Sequence, residues 1–372
     1  MKCNPLYMEK AISLAKGGIG AVNPNPLVGA VIVKDDRIIG QGYHQHYGGL
    51  HAERHALLSC TENPLGATMY VTLEPCCHHG RTPPCTEAIL RAGIAHVVVG
   101  SSDPNPLVQG KGIQALRDAD IQVTEHFLEE ECDNLNPVFF HYIKQNKPYI
   151  ALKYAMTADG KIASYTGDSR WISNEVSRQH THTLRHAYTG ILVGIGTVLA
   201  DNPLLNCRTE NGRNPIRILC DSRLRIPLDN RLCQSATRYR TIIAYVDGSK
   251  EKCSQLEALG ILLWQIPEKN NHVDLSILME RLAENQIDSI LAEGGGDIHF
   301  SLLEEGLVQK VYVYIAPKIC GGTNAPTPVK GAGIANMHDA LPLVRKDIQF
   351  LGDDLLIVYE TDRKGGTLCS QD

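Results

Sequence analysis

The chain has 372 residues, 43% of them hydrophobic, which is enough length and apolar content for two domains with separate cores. Its net charge is −5 and its lysines and arginines do not cluster, which argues against a nucleic-acid-binding surface. Small molecules are therefore the expected partners.

Cysteine usage and hydropathy predict the compartment. The twelve cysteines lack the regular spacing of a disulfide framework, and the start of the chain has no apolar signal segment. No apolar run is long enough to cross a bilayer. These features predict a cytoplasmic protein with no membrane partner and mostly free thiols.

Short alternating helices and strands are predicted for the first part of the chain. Hydrophobic spacing predicts helices over Met8–Lys16, His51–Ser59, Pro84–Ala92 and Lys111–Asp118. Apolar runs predict strands over Leu27–Lys34, Arg37–Tyr43, Thr68–Leu73, His96–Gly100 and Ile121–Thr124. This order predicts a three-layer α/β/α sandwich.

The segment from His51 to Cys85 contains the residues of a catalytic zinc site. His51, Cys76 and Cys85 would supply three ligands, and a catalytic zinc keeps its fourth position for water. Glu53 lies two residues after His51 on the predicted helix, where it would reach that water without binding the metal and act as the proton shuttle. The order H-x-E, then P-C and a second cysteine, is typical of zinc-dependent base and nucleotide deaminases.

The cysteine half of this motif leaves the ligand choice open. Eight residues separate Cys76 from Cys85, whereas the P-C-x-x-C signature has a much shorter gap, and the rival ligands in between are Cys77, His78 and His79. Pro83 and Pro84 favour Cys85, because prolines pre-set a helix start and a helix N-terminus stabilises a thiolate.

Two other metal sites are conceivable on the same residues. A structural zinc closed by His78 or His79 would leave Glu53 without a task. His51 and His55 have the spacing of a metalloprotease pair, but Ala52 occupies the position where that motif has its glutamate. The catalytic arrangement uses more of the motif than either alternative.

A polar joint at Lys144–Pro148 divides the chain into predicted domains 1–145 and 147–362, followed by a tail, 363–372. In the second domain a helix is predicted over Asn174–Ala187. The predicted strands there are Tyr149–Ala155, Ile191–Val193, Ile216–Cys220, Thr241–Tyr245, Leu262–Gln265, Ser289–Leu291 and Val311–Ile315. Open α/β sheets bind ligands at such strand ends.

Two loops of the second domain have unusual composition. Gly294, Gly295 and Gly296 stand between a predicted strand and a helix, where bare backbone N–H groups suit phosphate oxygens, although a plain strand-to-helix turn has the same pattern. The segment 194–205 joins a glycine-rich turn to an Asp201-Asn202-Pro203 corner.

The H-A-E motif, the long P-C-C-H-H-G-R-T-P-P-C loop and the N-P-N-P-L-V-G segment at 23–29 resemble the bifunctional deaminase/reductase family of bacterial riboflavin biosynthesis. The resemblance continues from Tyr149 to Tyr359, through T-A-D-G-K at 157–161, S-R-W-I-S at 169–173 and A-P-K at 316–318. It implies a cytidine-deaminase-like α/β/α sandwich followed by a dihydrofolate-reductase-like α/β domain.

This resemblance implies two reactions and two cofactors. Zinc-dependent hydrolysis would remove the 2-amino group of 2,5-diamino-6-ribosylamino-4(3H)-pyrimidinone 5′-phosphate, and NADPH would then reduce the ribosyl group to a ribityl chain. The residues that match substrate contacts in the deaminase half are Asn25, His44, His78 and Arg81.

The resemblance also implies the residues of the reductase half. Cofactor positions are matched by Ala155, Trp171, Thr197, Asp201, Ser222, Gly295, Gly296, Asp297, Ile298, His299, Phe300 and Ser301. Substrate positions are matched by Lys153, Ser169, Arg185, Leu205, Arg208 and Glu293. Arg185 and Arg208 suit a 5′-phosphate, because a guanidinium complements phosphate oxygens. Asp201 is the favoured proton-transfer residue, with Lys153 as the alternative.

A different enzyme class also fits part of the sequence. A tRNA or nucleoside deaminase with an accessory domain would share the zinc motif, but the acidic balance argues against the tRNA form. Association into a homo-oligomer stays open at this stage.

Overall fold

The structure of the chain, a computed structural model, describes residues 3–79 and 83–362. Its contacts divide it between Asn146 and Lys147 into two compact units. This point lies within the predicted joint at Lys144–Pro148. Within the described ranges no helix has the length and apolar character needed to span a membrane. Arg81 and the tail 363–372 lie outside the described residues.

A five-stranded sheet forms the centre of the first unit, in the order β2-β1-β3-β4-β5. Its strands are β1 (Gly29–Lys34), β2 (Arg37–Tyr43), β3 (Thr68–Leu73), β4 (His96–Ser101) and β5 (Gln122–Thr124). β1 pairs antiparallel with β2 and β3, whereas β3, β4 and β5 are parallel. The carboxyl ends of β3 and β4 therefore meet at one edge of the sheet.

Helices cover both faces of this sheet. They are α1 (Pro5–Ala15), α2 (Ala52–Leu58), α3 (Cys85–Arg91), α4 (Lys111–Arg117), α5 (Glu129–Asp133) and α6 (Pro137–Gln145). Strand side chains alternate between the faces, so Met69 and Val71 pack with the core that contains α2, α3 and α4, while Tyr70 packs with the core that contains α1. The predicted α/β/α sandwich is confirmed.

The second unit has a nine-stranded sheet in the order β10-β9-β8-β7-β13-β6-β14-β16-β15 and a separate β11-β12 pair. The strands are β6 (Tyr149–Thr157), β7 (Gly190–Gly194), β8 (Ile216–Cys220), β9 (Thr241–Tyr245), β10 (Leu262–Gln265), β11 (Glu268–Lys269), β12 (His272–Val273), β13 (Ser289–Ala292), β14 (Val308–Ala316), β15 (Leu343–Leu351) and β16 (Asp354–Thr361). In the large sheet β16 pairs antiparallel with both β14 and β15, and the other pairings are parallel.

The helices of this unit are α7 (Glu175–Ala187), α8 (Ile195–Asp201), α9 (Arg231–Gln234), α10 (Lys250–Ala258), α11 (Leu275–Glu284) and α12 (Gly296–Glu304). Alternate residues of the parallel strands point to opposite faces of the sheet and pack into two hydrophobic cores. One core includes residues of α11 and α12, and the other includes residues of α8, α9 and α10. The carboxyl ends of β6, β7, β8 and β13 consequently share one edge, from which the polar loops extend.

Helix α8 and the β15–β16 hairpin are among the elements that differ from the sequence-based expectation. The segment after Gly194 was predicted as a glycine-rich turn but forms helix α8, because Ile195 and Val198 are both buried and Gly196 faces open space. The β15–β16 hairpin was not predicted. Nearly all of β15 is exposed, so its side chains lack the inward apolar alternation that marks a strand.

Candidate functional site

Three predicted metal ligands converge in the first unit. The His51 Nδ1, Cys76 Sγ and Cys85 Sγ atoms all lie within 4.8 Å of one another. His51 Nδ1 is 3.5 Å from Cys76 Sγ and 3.3 Å from Cys85 Sγ. A tetrahedral zinc would separate its nitrogen and sulfur ligands by roughly 3.5 Å, so this donor set fits the metal.

Each ligand comes from the end of a different element. His51 is the N-cap residue of α2, Cys76 follows β3 and Cys85 opens α3. Arg54 holds the segment just before Cys85 by donating to the carbonyls of Pro83 and Pro84, at 3.0 and 2.9 Å. The rival Cys77 does not join the cluster, and His79 is exposed and 3.6 Å from Glu87.

The environment of the three ligands favours a thiolate. Hydrogen bonds from Cys85 and His51 lower the pKa of Cys76 to about 4. The pKa of Cys85 is raised, first because its S–H donates to Cys76 and then because it is buried. A zinc ion bound here would displace the remaining thiol proton, because cysteine binds metal as the thiolate.

Glu53 lies beside these ligands without being one of them. Its side chain is 3% exposed, and burial raises its pKa, while the charge of His51 opposes that shift. A carboxyl group beside a metal ligand set is placed to accept a proton and return it. This is the position expected of a proton shuttle.

A pocket of about 310 Å³ is lined by His51, Cys76 and Glu53. Of the predicted substrate residues it contains Asn25, His44 and His78. The His44 ring bonds to the Leu50 carbonyl through Nδ1, at 2.9 Å, and to the Asn25 amide through Nε2, at 3.1 Å. Burial lowers the pKa of His44, so the neutral ring accepts from Asn25 and holds the orientation of its amide.

Asp103 and Asn105 are polar pocket residues that were missed in the sequence. Both line the same pocket, and burial raises the pKa of Asp103 to about 6. They belong to a D-P-N-P segment at 103–106 that repeats the form of N-P-N-P at 23–26. That similarity was the one available signal, because the two segments are distant in sequence and meet only in the fold.

In the second unit a buried ion pair organises the edge where β6, β7 and β13 end. Arg185 donates to both carboxylate oxygens of Glu293, at 2.7 and 2.9 Å, and to the Asn206 carbonyl, at 3.0 Å. Burial alone would raise the pKa of Glu293, but Arg185 and Lys153 outweigh it and hold the pKa at about 2. Glu293 is therefore a fixed anion.

Lys153 and Asp201, the two proton-transfer candidates, have different surroundings. Burial lowers the pKa of the Lys153 amine, although Glu293 opposes this, and the amine lies 5.2 Å from the centre of the Tyr314 ring. The Asp201 carboxylate accepts a long hydrogen bond from Ser169, at 3.4 Å. Lys153 lies within β6, one residue beyond its pairing with β13, whereas Asp201 is the last residue of α8.

The glycine loop lies at the start of α12, and its glycines differ in how closely they are packed. Gly295 is the N-cap of α12, and a Cβ there would lie 3.4 Å from Thr197 Oγ1. A Cβ on Gly296 would lie 2.9 Å from the Thr327 carbonyl, so the backbone is closely packed from the other side. Bare N–H groups at the start of a nine-residue helix fit the anionic part of a nucleotide cofactor.

The other predicted reductase residues fall in several settings. Trp171 is exposed, with the Arg178 guanidinium 4.6 Å from its ring. His299 is fully buried and bonds to the Pro328 carbonyl at 2.9 Å. Ala155 lies on β6 and Ser222 in the turn after β8. The remaining positions lie within α12: Asp297, Ile298, Phe300 and Ser301. Leu205 is buried with φ 54°, and Arg208 is exposed.

Two family models match the chain: the RibD C-terminal domain over residues 148–357, and the cytidine and deoxycytidylate deaminase zinc-binding region over residues 1–101. The riboflavin biosynthesis protein RibD of Actinobacillus pleuropneumoniae is 53% identical, over 95% of this chain and 94% of that protein. The chain belongs to the RibD family.

Other RibD proteins agree with this assignment. RibD of Escherichia coli is 39% identical over 94% of this chain and 97% of its own length. The crystal structure of a diaminohydroxyphosphoribosylaminopyrimidine deaminase/5-amino-6-(5-phosphoribosylamino)uracil reductase from Thermotoga maritima has a TM-score of 0.85 and 37% identity, covering 96% of this chain and 98% of that one. Acinetobacter baumannii RibD has a TM-score of 0.86, 36% identity and the same coverage.

Membership of the RibD family confirms the predicted fold class and activity. The chain is a bifunctional enzyme of riboflavin biosynthesis, with a cytidine-deaminase-like hydrolase half and a dihydrofolate-reductase-like oxidoreductase half. Its cofactors are zinc in the first half and NADPH in the second. The roles of individual residues remain predictions.

Replacing Cys76 and Cys77 separately tests the ligand choice. Cys76→Ser should lose zinc and ammonia release together, because a serine hydroxyl replaces a thiolate at ligand distance. Cys77→Ser, the matched control, should keep both. Metal content is measured by atomic absorption after gel filtration. Full zinc retention by Cys76→Ser would mean that another residue is the ligand.

Glu53→Gln tests the proton shuttle. The change preserves size but removes the exchangeable carboxyl proton, so bound zinc should stay at the wild-type level while ammonia release falls by about 10²-fold or more. Glu87→Gln on α3, an exposed ion-pair residue, is the matched control and should have wild-type activity. Normal deamination by Glu53→Gln would place the shuttle elsewhere.

Proposed function

We propose that the first unit deaminates 2,5-diamino-6-ribosylamino-4(3H)-pyrimidinone 5′-phosphate and that the second reduces the ribosyl group of the product. The single observation that carries the first step is the convergence of His51, Cys76 and Cys85 beside the buried Glu53. The Thermotoga maritima relative is a deaminase and reductase of the corresponding pyrimidine and uracil phosphates, which supports this choice of substrates.

The deamination exchanges the amine for a carbonyl oxygen. Zinc, when bound by His51, Cys76 and Cys85, supplies a Lewis acid that lowers the pKa of water. Glu53 takes a proton from water and gives it to the leaving amine, so that water is consumed and ammonia is released. Asn25, held by His44, orients the pyrimidine in the pocket.

The reduction needs a hydride at C1 of the opened sugar and a proton for the balance. NADPH supplies the hydride when bound. The backbone of Gly295 and Gly296 would hold its phosphates, and Thr197 would face the same loop. Glu293 stays ionised and orients the substrate, whereas Lys153 or Asp201 moves the proton, because neither is fixed in a bidentate ion pair.

Of the two predicted phosphate ligands, Arg208 has the freer guanidinium. Three N–H groups of Arg185 already bond to Glu293 and Asn206. The exposed Arg208 makes one long bond to Asn206 Oδ1, at 3.4 Å. We therefore assign the 5′-phosphate chiefly to Arg208. Arg185 positions the Glu293 carboxylate and the backbone at Asn206.

The central test follows ammonia and NADPH in one sample. Full-length, zinc-loaded protein is given the diaminopyrimidine phosphate, and ammonia release should precede NADPH oxidation. The deaminated ribosylamino-uracil phosphate should support NADPH oxidation directly, without ammonia. If no ammonia is released from the diaminopyrimidine phosphate, the proposed deaminase substrate is wrong.

Arg208→Met tests the phosphate assignment. The KM of the reductase step should rise by roughly 10- to 100-fold for the phosphorylated substrate, because a charge-assisted contact is lost. The change should be small for the dephosphorylated analogue. Arg240→Met, an exposed arginine on the same unit, is the control. Equal loss with both substrates would show that Arg208 acts other than through phosphate.

Zinc removal tests whether the two reactions are chemically independent. A chelator should abolish ammonia release but leave NADPH oxidation on the deaminated substrate unchanged, since the candidate reductase residues all lie after Lys147. Rates are compared with circular dichroism of the same samples. Loss of reduction in proportion to zinc removed, with the fold intact, would contradict independent sites.

A further inference from the structure

Glu74 has a buried carboxylate that the mechanism above does not use. It follows β3, two residues before Cys76, and is 3% exposed. Its backbone N–H continues the strand pairing by donating to the Ser101 carbonyl, at 2.9 Å. Among the residues that the structure describes, no lysine, arginine or histidine forms an ion pair with it. A buried charge needs compensation from another source.

That compensation comes from four backbone N–H groups of one segment. Glu74 Oε2 accepts from Asp103 N at 3.4 Å and from Gly110 N at 3.0 Å. Oε1 accepts from Gly112 N at 3.0 Å and from Ile113 N at 3.2 Å. One carboxylate therefore joins both ends of the segment 103–113, which we call the pocket wall.

Helix α4 at the end of the pocket wall depends on this carboxylate for its N-terminal cap. Its N-cap residue is Gly110, with φ 74° and no side chain to accept a hydrogen bond. Gly112 allows the close approach, because a Cβ there would lie 2.0 Å from the Pro75 carbonyl and 3.2 Å from Glu74 Oε1. Glu74 thus supplies from β3 the cap that α4 lacks locally.

The pocket wall carries side chains that face the reaction site. Asp103, Asn105 and Val108 line the pocket together with His51, Glu53 and Cys76. Within the wall, Asp103 Oδ1 accepts from Asn105 N at 2.8 Å, so Asn105 is placed relative to Asp103. Any shift of the bonds at Glu74 would be passed to both side chains.

We propose that Glu74 is a positioning residue of the deaminase: its carboxylate fixes the pocket wall, with Asp103 and Asn105, at a set distance from the metal ligand Cys76. The proposal rests on the deamination assigned to this pocket. Glu74 borders the same pocket, but its side-chain oxygens are turned to the pocket wall. Both of its oxygens are occupied by backbone donors, and the convergent ligand set does not include it.

Glu74→Gln is the direct test. The amide places an NH₂ group against two backbone N–H groups, so the pocket wall should move while the three metal ligands remain. Zinc content should equal that of wild type, and the deaminase KM should rise by about tenfold or more with a smaller change in kcat. The reductase rate of the same chain is an internal control. Glu62→Gln, an exposed glutamate paired with Arg37, is the matched variant and should leave the deaminase unchanged.

A merely structural role would lower the melting temperature without changing KM, and that outcome would overturn the proposal. Zinc loss in proportion to activity would also overturn it, because Glu74 would then act through the metal. Asn105→Ala provides a second criterion. If Glu74 acts through the wall, the KM effects of Glu74→Gln and Asn105→Ala should be clearly less than multiplicative in the double variant. Multiplicative effects would refute the coupling.

Hydrogen exchange of the wild-type protein gives a result even if Glu74→Gln does not fold. The amides of Gly112 and Ile113 should exchange more slowly than is usual for the first turn of a helix. Amides in a first turn usually have no hydrogen-bond acceptor, whereas these two donate to Glu74. Exchange as fast as in exposed loops would overturn the proposal. This measurement needs no substrate, so its failure is distinct from failure of the proposed deamination, which is seen as absence of ammonia from wild-type protein.

Discussion

The close contact between α2 and β2 is the constraint on which the metal site depends. A Cβ on Gly40 would lie 2.5 Å from the Ala56 carbonyl, and one on Gly42 would lie 2.5 Å from the Ala56 amide. Ala52 and Ala56 on the helix are fully buried. With small residues on both sides, the helix backbone rests directly on the strand, and its N-terminus carries His51 and Glu53 to the end of β3. A larger residue at either glycine would push His51 away from Cys76.

Two buried glutamates in this chain have opposite electrostatic surroundings. Glu53 forms no ion pair with a lysine or arginine of the described residues, and burial raises its pKa, so it can exchange a proton. Glu293 is also buried, but Arg185 binds both of its oxygens and keeps its pKa at about 2. A carboxylate held in that state orients a substrate and accepts hydrogen bonds, but it does not carry protons near neutral pH. Proton transfer in the reductase half must therefore use another group.

The parts predictable from sequence are those that local pattern determines. His51 and Glu53 share one helix start, and the Pro83–Pro84 pair marks the helix that begins at Cys85, so spacing and residue type were enough. The alternating strands and helices of both units follow from hydrophobic periodicity. Helix α8 was missed because its glycines suggested a turn, although the burial of Ile195 and Val198 decides its conformation. The ligand choice between Cys76 and Cys77 needed coordinates, because adjacent residues differ only in the direction of their side chains.

Substrate selection within the first unit depends on contacts that no local pattern reveals. The zinc ligands and Glu53 supply chemistry that is common to hydrolytic deamination, and nothing in them distinguishes one aminopyrimidine from another. Among the polar side chains that line the pocket are Asn25 on one segment and Asp103 and Asn105 on another, and these are the candidates for discrimination. These segments are about 80 residues apart in the chain and meet because β1, β3 and β4 are neighbours in the sheet. Polar groups placed in this way reject analogues strongly, since a wrong substrate leaves them buried and unpaired.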